Sequence, residues 1–211
     1  GPASVLHGYD EMGWTNMIGY RDGTDQALIK ITPSFDQQIE FIGTYAVAAD
    51  AVLDIDIYDD FNGQVLSNSL STLTNLNCTH SGYHTFELSL PVSVEAGDDV
   101  FVRVTYRTGT DYPLPVEMII PGYSSDAVIS DSGSCWISTD GSIWNALGSD
   151  IPGQRYDLCI KAYGRVQNQV IHAGFEADII SGIVPLTVDY TDQSTGPVTS
   201  LRPASARGAS G

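Results

Sequence analysis

Between Gly82 and Tyr123 the apolar residues recur at every second position. Phe86, Leu88 and Leu90 share one face, and Val100, Val102, Val104 and Tyr106 share one face of the next run, with Glu87, Arg103 and Thr105 opposite. A period of two is the signature of a strand with one dry and one wet side, and no helix produces it. The intervening Glu95-Ala96-Gly97-Asp98-Asp99 is turn material, because glycine tolerates positive φ and aspartate caps its own backbone. The two runs therefore predict a central hairpin in a half-buried antiparallel sheet.

The same pattern extends through the first three quarters of the chain. Gln26 to Thr32 sets Ala27, Ile29 and Ile31 against Leu28 and Lys30 and stops at Pro33. Gln38 to Val47 sets Ile39, Phe41, Tyr45 and Val47 on one side, and Leu53 to Tyr58 turns Leu53, Ile55 and Ile57 inward with Asp54 and Asp56 outward. Asn62-Gly63 marks a turn. The segment from Asp59 to Asn77 is polar and rich in Ser, Asn and Leu, and its later part reads as a long loop or irregular edge. Tyr9 to Tyr20 reads as an opening loop or short edge strand. Further strands are expected at Pro115 to Ile120, Ser134 to Ser138 and Arg155 to Tyr163. Short strands about ten residues apart, with no helical stripe, predict an all-β, antiparallel β-sandwich of jelly-roll-like type.

Charge narrows the function classes. Nine Lys and Arg face 26 Asp and Glu, for a formal charge of −17. Such a surface repels phosphate backbones and anionic lipid, so nucleic-acid and membrane-surface roles are disfavoured. No apolar run is long enough to predict membrane insertion, and Gly1-Pro2, without Met, reads as a processed end. Cys78, Cys135 and Cys159 allow at most one internal disulfide, with the pairing open. Asn77-Cys78-Thr79 fits the N-glycosylation acceptor pattern.

Several stretches in order carry a resemblance. They include Tyr9-Asp10, Gly13-Trp14, Ile18-Gly19-Tyr20, Gly82-Tyr83-His84-Thr85 and Ala96-Gly97-Asp98. Tyr112-Pro113, Pro115-Val116-Glu117, Gly122-Tyr123-Ser124-Ser125, Ser138-Thr139-Asp140-Gly141-Ser142 with Trp144, and Cys159-Ile160-Lys161-Ala162 continue the series. Residues 1–164 thus resemble the lectin-like domain of surface proteins of methanogenic archaea, often appended to papain-like cysteine peptidases. The resemblance implies a β-sandwich with a binding role on the cell surface.

Residues 165–170 read as a linker. Beyond it, Phe175-Glu176-Ala177-Asp178, Ser181 to Val188 and Tyr190 to Gly196 resemble the first two strands of a PKD-type domain, after which the chain departs into LRPASARGASG. Residues 171–211 are thus expected to form a partial PKD-like segment, a short β appendage with an irregular tail. Two strands alone are marginal in water. Ile183, Val184, Leu186, Val188 and Tyr190 therefore favour packing on the first domain or self-association through residues 171–200.

Three constellations bear on chemistry. Gly133-Ser134-Cys135-Trp136 is similar to the nucleophile segment of papain-like peptidases, whose chemistry needs a thiolate at a helix start with a histidine ~130–150 residues downstream. Cys135 lies in a strand-like run followed only by His172, so a sheet residue or disulfide half is expected and catalytic residues are not. Asp54, Asp56, Asp59 and Asp60 gather carboxylates that suit calcium but miss EF-hand spacing, and a solvated acidic face is the competing reading. His7, His80, His84 and His172 have no metal-ligand spacing, and no other cofactor is called for.

Trp14, Tyr123, Trp136 and Trp144 are the candidates for stacking on a sugar ring, with Asp140 as a neighbouring acceptor. Core packing competes with that role for Trp14 and Trp136. Residues Ser138 to Trp144 resemble a shortened Asp-box, a folding element whose Asp-Gly pair makes a tight turn. The expected function is a non-enzymatic, extracellular module that binds glycan or a surface protein. The alternative is a structural subunit of a surface layer or filament, assembled through its apolar C-terminal segment.

Overall fold

The structure, a computed structural model, describes residues 3–167, 175–177 and 190–192. Contacts divide the chain into two compact units, Gly1–Gln167 and Asn168–Gly211. The first is all-β among its described residues, with every strand pairing antiparallel. Its strands are β1 (Ser4–His7), β2 (Asn16–Ile18), β3 (Thr24–Ile31), β4 (Gln37–Ala46), β5 (Ala51–Phe61), β6 (Leu66–Cys78) and β7 (Gly82–Val94). They continue with β8 (Val100–Arg107), β9 (Leu114–Glu117), β10 (Cys135–Ser138), β11 (Asn145–Leu147), β12 (Asp157–Leu158) and β13 (Ile160–Val166). A four-stranded sheet runs β1-β13-β4-β7, a six-stranded sheet β11-β10-β3-β8-β5-β6, and a small sheet β12-β9-β2.

The sandwich core joins Ile39 and Ile42 of one large sheet with Ile29, Leu53, Ile55, Val102 and Val104 of the other. Burying each such side chain contributes about 1.5–3 kcal/mol. A polar tie crosses the same interior: the Thr44 hydroxyl donates to the Cys159 carbonyl at 2.7 Å and lies 2.7 Å from the Tyr106 hydroxyl. The buried thiols of Cys78, Cys135 and Cys159 are all free, so no disulfide staples the layers.

Pairing corrects several sequence expectations. The Gly82 to Arg107 stretch is not a hairpin, because β7 pairs with β4 while β8 lies between β3 and β5 in the other sheet. The Glu95–Asp99 turn is present, with Gly97 at φ 86, but it carries the chain from one layer to the other. Leu90 is 76% exposed, since β7 bulges between its pairings Phe41↔Glu87 and Ile39↔Val92.

In β4 the inward set is Ile39, Ile42, Thr44 and Ala46, whereas Phe41, Tyr45 and Val47 are only partly buried. The register slips by one residue where Tyr163↔Phe41 is followed by Gly164↔Ile39, and an extra residue reverses alternation beyond it. Gly164 is what permits this approach: a Cβ there would stand 2.2 Å from the Gln38 carbonyl oxygen.

The later part of Asp59 to Asn77, read as a long loop or irregular edge, is an irregular edge: it contains most of β6, thirteen residues paired to β5 alone. Two register shifts interrupt that ladder, and Asn68 and Asn75 take positive φ of 56°. The leucines consequently fall at 66, 70, 73 and 76, a spacing that hides a period of two. The Asn62 turn before it forms as expected, with the Asn62 side-chain oxygen accepting from the amides of Gln64 and Val65.

In the second unit, β14 (Phe175–Ala177) pairs antiparallel with β15 (Tyr190–Asp192). The apolar residues Ile183, Val184, Leu186 and Val188 lie outside the described residues.

Candidate functional site

A cleft of about 770 Å³ opens where the small sheet meets the β10–β11 edge of the six-stranded sheet. Three tyrosines, Tyr20, Tyr112 and Tyr156, and three amides, Asn16, Asn145 and Gln154, supply its chemistry, and no Asp, Glu, Lys or Arg lines it. Tyr20 and Tyr112 are 39% and 38% exposed, as rings offered to a ligand should be. The Asn145 amide nitrogen donates to the Tyr20 hydroxyl at 2.6 Å, which ties β11 to the end of β2.

Local sequence explains how these groups converge. A Cβ on Gly19 would stand 2.5 Å from Pro113 Cδ, 2.6 Å from Asp25 Oδ2 and 2.9 Å from the Asp111 carbonyl, so only glycine lets β2 close against the segment carrying Tyr112. Asp25, buried at the start of β3, accepts the Tyr20 amide at 2.8 Å. Arg21 donates to the Tyr112 hydroxyl at 3.0 Å and lies over its ring at 5.7 Å. The opposite wall is a knot of backbone bonds, Gly148 N to Gln154 O at 2.9 Å and Gln154 N to Ile151 O at 3.0 Å.

Buried carboxylates fasten the surrounding loops. Glu117 accepts the amides of Glu11 and Met12 at 3.0 and 2.5 Å, and Asp157 accepts the Ser130 amide at 3.0 Å. Burial pushes the Asp25 and Asp157 carboxyls up to about 6, against the lowering effect of their backbone amide partners. Asp10, buried 2.9 Å from the Lys161 ammonium, is also raised by burial.

None of the aromatics singled out from sequence lines this cleft. Trp136 and Trp144 meet edge-on around Phe61, at 5.2 and 5.9 Å between ring centres, in a cluster with Phe101. Both indoles are half-buried there, and the Trp144 ring nitrogen is buried with no hydrogen-bond partner among the described residues. Trp14 packs on Tyr45 at 6.0 Å, and Tyr45 on Tyr83 at 4.9 Å, beside the bond joining the Tyr83 and Tyr163 hydroxyls at 2.6 Å. Tyr123 is 69% exposed in the loop after β9. Asp140 accepts from the Ser142 amide and hydroxyl at 2.9 and 2.6 Å, bonds that hold its carboxyl below the usual range and close the turn.

The acidic run is engaged by arginine. Asp54 takes a bidentate bond from Arg107 at 2.6 and 2.8 Å, and Asp56, largely buried, takes Arg103 at 2.8 Å; Asp60 accepts from Ser67 at 3.1 Å and Asp59 is exposed. The expectation that Asp56 faces solvent is thus corrected by its pairing across the sheet. No three His, Cys, Asp or Glu among the described residues converge as metal ligands. Cys135 is a buried residue of β10 whose thiol burial drives upward, opposite to the shift a thiolate nucleophile requires. Asn77 is exposed on the edge strand β6.

The fold and cleft define a two-layer antiparallel sandwich with a concave, uncharged, aromatic-amide face. The family model described as "Lectin like domain" matches residues 6–164, and the chain belongs to that family. Among solved structures it is similar to the clostridial cysteine protease Cwp84 after propeptide cleavage, with TM-score 0.61 and 15% identity, covering 78% of this chain and 40% of that one. It is also similar to the cysteine protease and lectin-like domains of Cwp84, a surface layer associated protein of Clostridium difficile, with TM-score 0.55 and 15% identity over 69% of this chain and 33% of that one. The chain therefore spans less than half the length of either structure, and at this identity the likeness is one of fold. The comparison with curated proteins finds no match.

Tyr20, Tyr112, Asn145 and Tyr156 were not among the residues that the sequence offered as a site. Ile18-Gly19-Tyr20 and Tyr112-Pro113 do belong to the stretches that carry the family resemblance, which is the signal that could have flagged them.

Proposed function

We propose that this chain is a non-catalytic binding module displayed at a cell surface, and that it recognises a glycan or another surface ligand in the cleft between Tyr20, Tyr112 and Tyr156. The observation that carries the reading is the cleft's lining. Tyrosine rings pack on the C–H faces of a pyranose while Asn16, Asn145 and Gln154 address its hydroxyls, and no charged side chain demands a countercharge. A surface setting is supported by the family and by the surface-layer association of Cwp84. The resemblance to methanogen surface proteins makes an archaeal envelope the proposed setting. A PKD-type spacer in residues 171–211 is part of the same proposal.

A glycan array probed with the wild-type chain, Tyr112→Ala and Trp144→Ala tests the reading. Binding that is lost in Tyr112→Ala and kept in Trp144→Ala places the ligand in the cleft. The reverse pattern moves the site to the Phe61 cluster and restores the role first assigned to Trp144. No glycan signal, together with ordered polymers at high concentration, favours the structural alternative.

A further inference from the structure

The cleft continues past Tyr156. A second hollow of about 360 Å³, lined by Met118, Ile119, Gly153, Arg155 and Tyr156, shares Gly153 and Tyr156 with the first. The two adjoin at these shared residues, and they differ in charge: no charged residue lines the first, whereas Arg155, with its guanidinium, lines the second.

That guanidinium is unusual for this chain. Lys30, Arg103, Arg107, Lys161 and Arg165 each form an ion pair, and Arg21 is bound to Tyr112. Among the described residues Arg155 is the one Lys or Arg with neither a hydrogen bond nor an ion pair. With 26 acidic residues against nine basic ones, partners for a cation are abundant, and chance pairing would be expected to claim it. The acids beside the hollow are otherwise occupied, Asp157 by the Ser130 amide and Glu117 by the amides of Glu11 and Met12.

We infer that the groove takes an acidic saccharide, with one sugar ring against the tyrosines and amides and a carboxylate substituent at Arg155. This rests on the cleft being the binding site. A guanidinium offers a planar fork of donors that matches a carboxylate in two bonds. Met118 and Ile119 beside it give the substituent an apolar wall of the kind an acetamido methyl or a lactyl methyl would fill. The net charge of −17 sets a limit on the ligand: a densely sulfated or phosphorylated polymer is repelled, whereas a single carboxylate on an otherwise neutral glycan is not strongly opposed.

The test is a titration of the full chain, followed by amide NMR shifts, with matched sugars that differ by one carboxylate. N-acetylglucosamine against N-acetylmuramic acid is one pair, and glucose against glucuronic acid another. The acidic member is expected to bind about tenfold more tightly. Arg155→Gln is expected to reduce it to the level of the neutral sugar, and Arg155→Lys to keep part of the preference. Arg155 is exposed, so both variants should keep the wild-type amide spectrum away from the groove. Equal binding of both sugars, or a preference untouched by Arg155→Gln, overturns this inference and leaves the binding reading intact. Failure of every sugar, including all array glycans, removes both this inference and the glycan form of the binding reading. Capture of a glutamate-rich peptide in place of sugar, lost in Arg155→Gln, assigns the groove to acidic peptides and overturns the saccharide inference.

Discussion

The Asn145 side-chain amide donates to the Tyr20 hydroxyl at 2.6 Å, joining two residues 125 positions apart across the mouth of the cleft. The bond fixes one edge of the Tyr20 ring and leaves the Asn145 oxygen available to a ligand. Tyr20→Phe is expected to weaken glycan binding a fewfold, because the ring face survives. Asn145→Ala is expected to cost about tenfold, because it removes both the brace and a ligand contact. Thermal stability should move by less than about 1 kcal/mol in either case, since both residues are exposed. Equal losses in the two variants would count against a direct role for the amide.

Thr44 and Tyr106 provide an asymmetric pair in the core. The Thr44 hydroxyl gives its proton to the Cys159 carbonyl, so the Tyr106 hydroxyl is the donor in their mutual bond. Thr44→Val leaves a buried hydroxyl and a buried carbonyl without their partner and is expected to cost about 2–4 kcal/mol, against about 1 kcal/mol for Tyr106→Phe. Urea denaturation of the two variants checks the order, and equal losses would count against this assignment of donors.

Gly19→Ala tests the packing behind the cleft. The new methyl meets the backbone carbonyl of Asp111 and the ring of Pro113, neither of which is the free end of a flexible side chain. A loss of about 1–3 kcal/mol is expected, accompanied by weaker ligand binding. An unchanged melting temperature would mean that the 111–113 segment can move aside.

The pH dependence follows from Asp25. Its carboxyl keeps a proton in the folded chain up to about pH 6, whereas in the unfolded chain it releases the proton near its usual value of 3.8. Between those values the folded state binds more protons, so this group's contribution to stability falls as pH rises from about 4 to 6 and stays low above that. Asp25→Asn keeps an acceptor for the Tyr20 amide and removes the titration. The variant should therefore gain stability relative to wild type on going from pH 5 to pH 7, read as a difference in urea midpoint. A difference that is the same at both values would sink the assignment, and Asp157, raised for the same reason, serves as the parallel case.

Strands were legible wherever inward and outward residues kept strict alternation. Val100 to Tyr106 and Leu53 to Ile57 show it: their inward residues are buried as read, although Phe101 and Asp56 between them are buried as well. Alternation failed at bulges. One extra residue near Glu40 turns Phe41 and Tyr45 away from the core, and two slips in β6 scatter its leucines so that a thirteen-residue edge strand reads as either a long loop or an irregular edge. The candidate site was less legible than the fold. Indoles draw the eye as stacking surfaces, yet Trp136 and Trp144 pack edge-on against Phe61, and the cleft is built from tyrosines and amides on segments near residues 20, 112 and 150.

The sequence alone determined the layered all-β fold, because the side-chain period of a strand is a local property that neighbours two residues apart already express. It also determined the acidic surface, which is a matter of counting charges. Tertiary structure decided which sheet each strand joined, which carboxylates met arginines, and where the concave face lies. Those depend on pairings between residues that are tens of positions apart, and backbone register, unlike alternation, leaves little mark on any single stretch of chain.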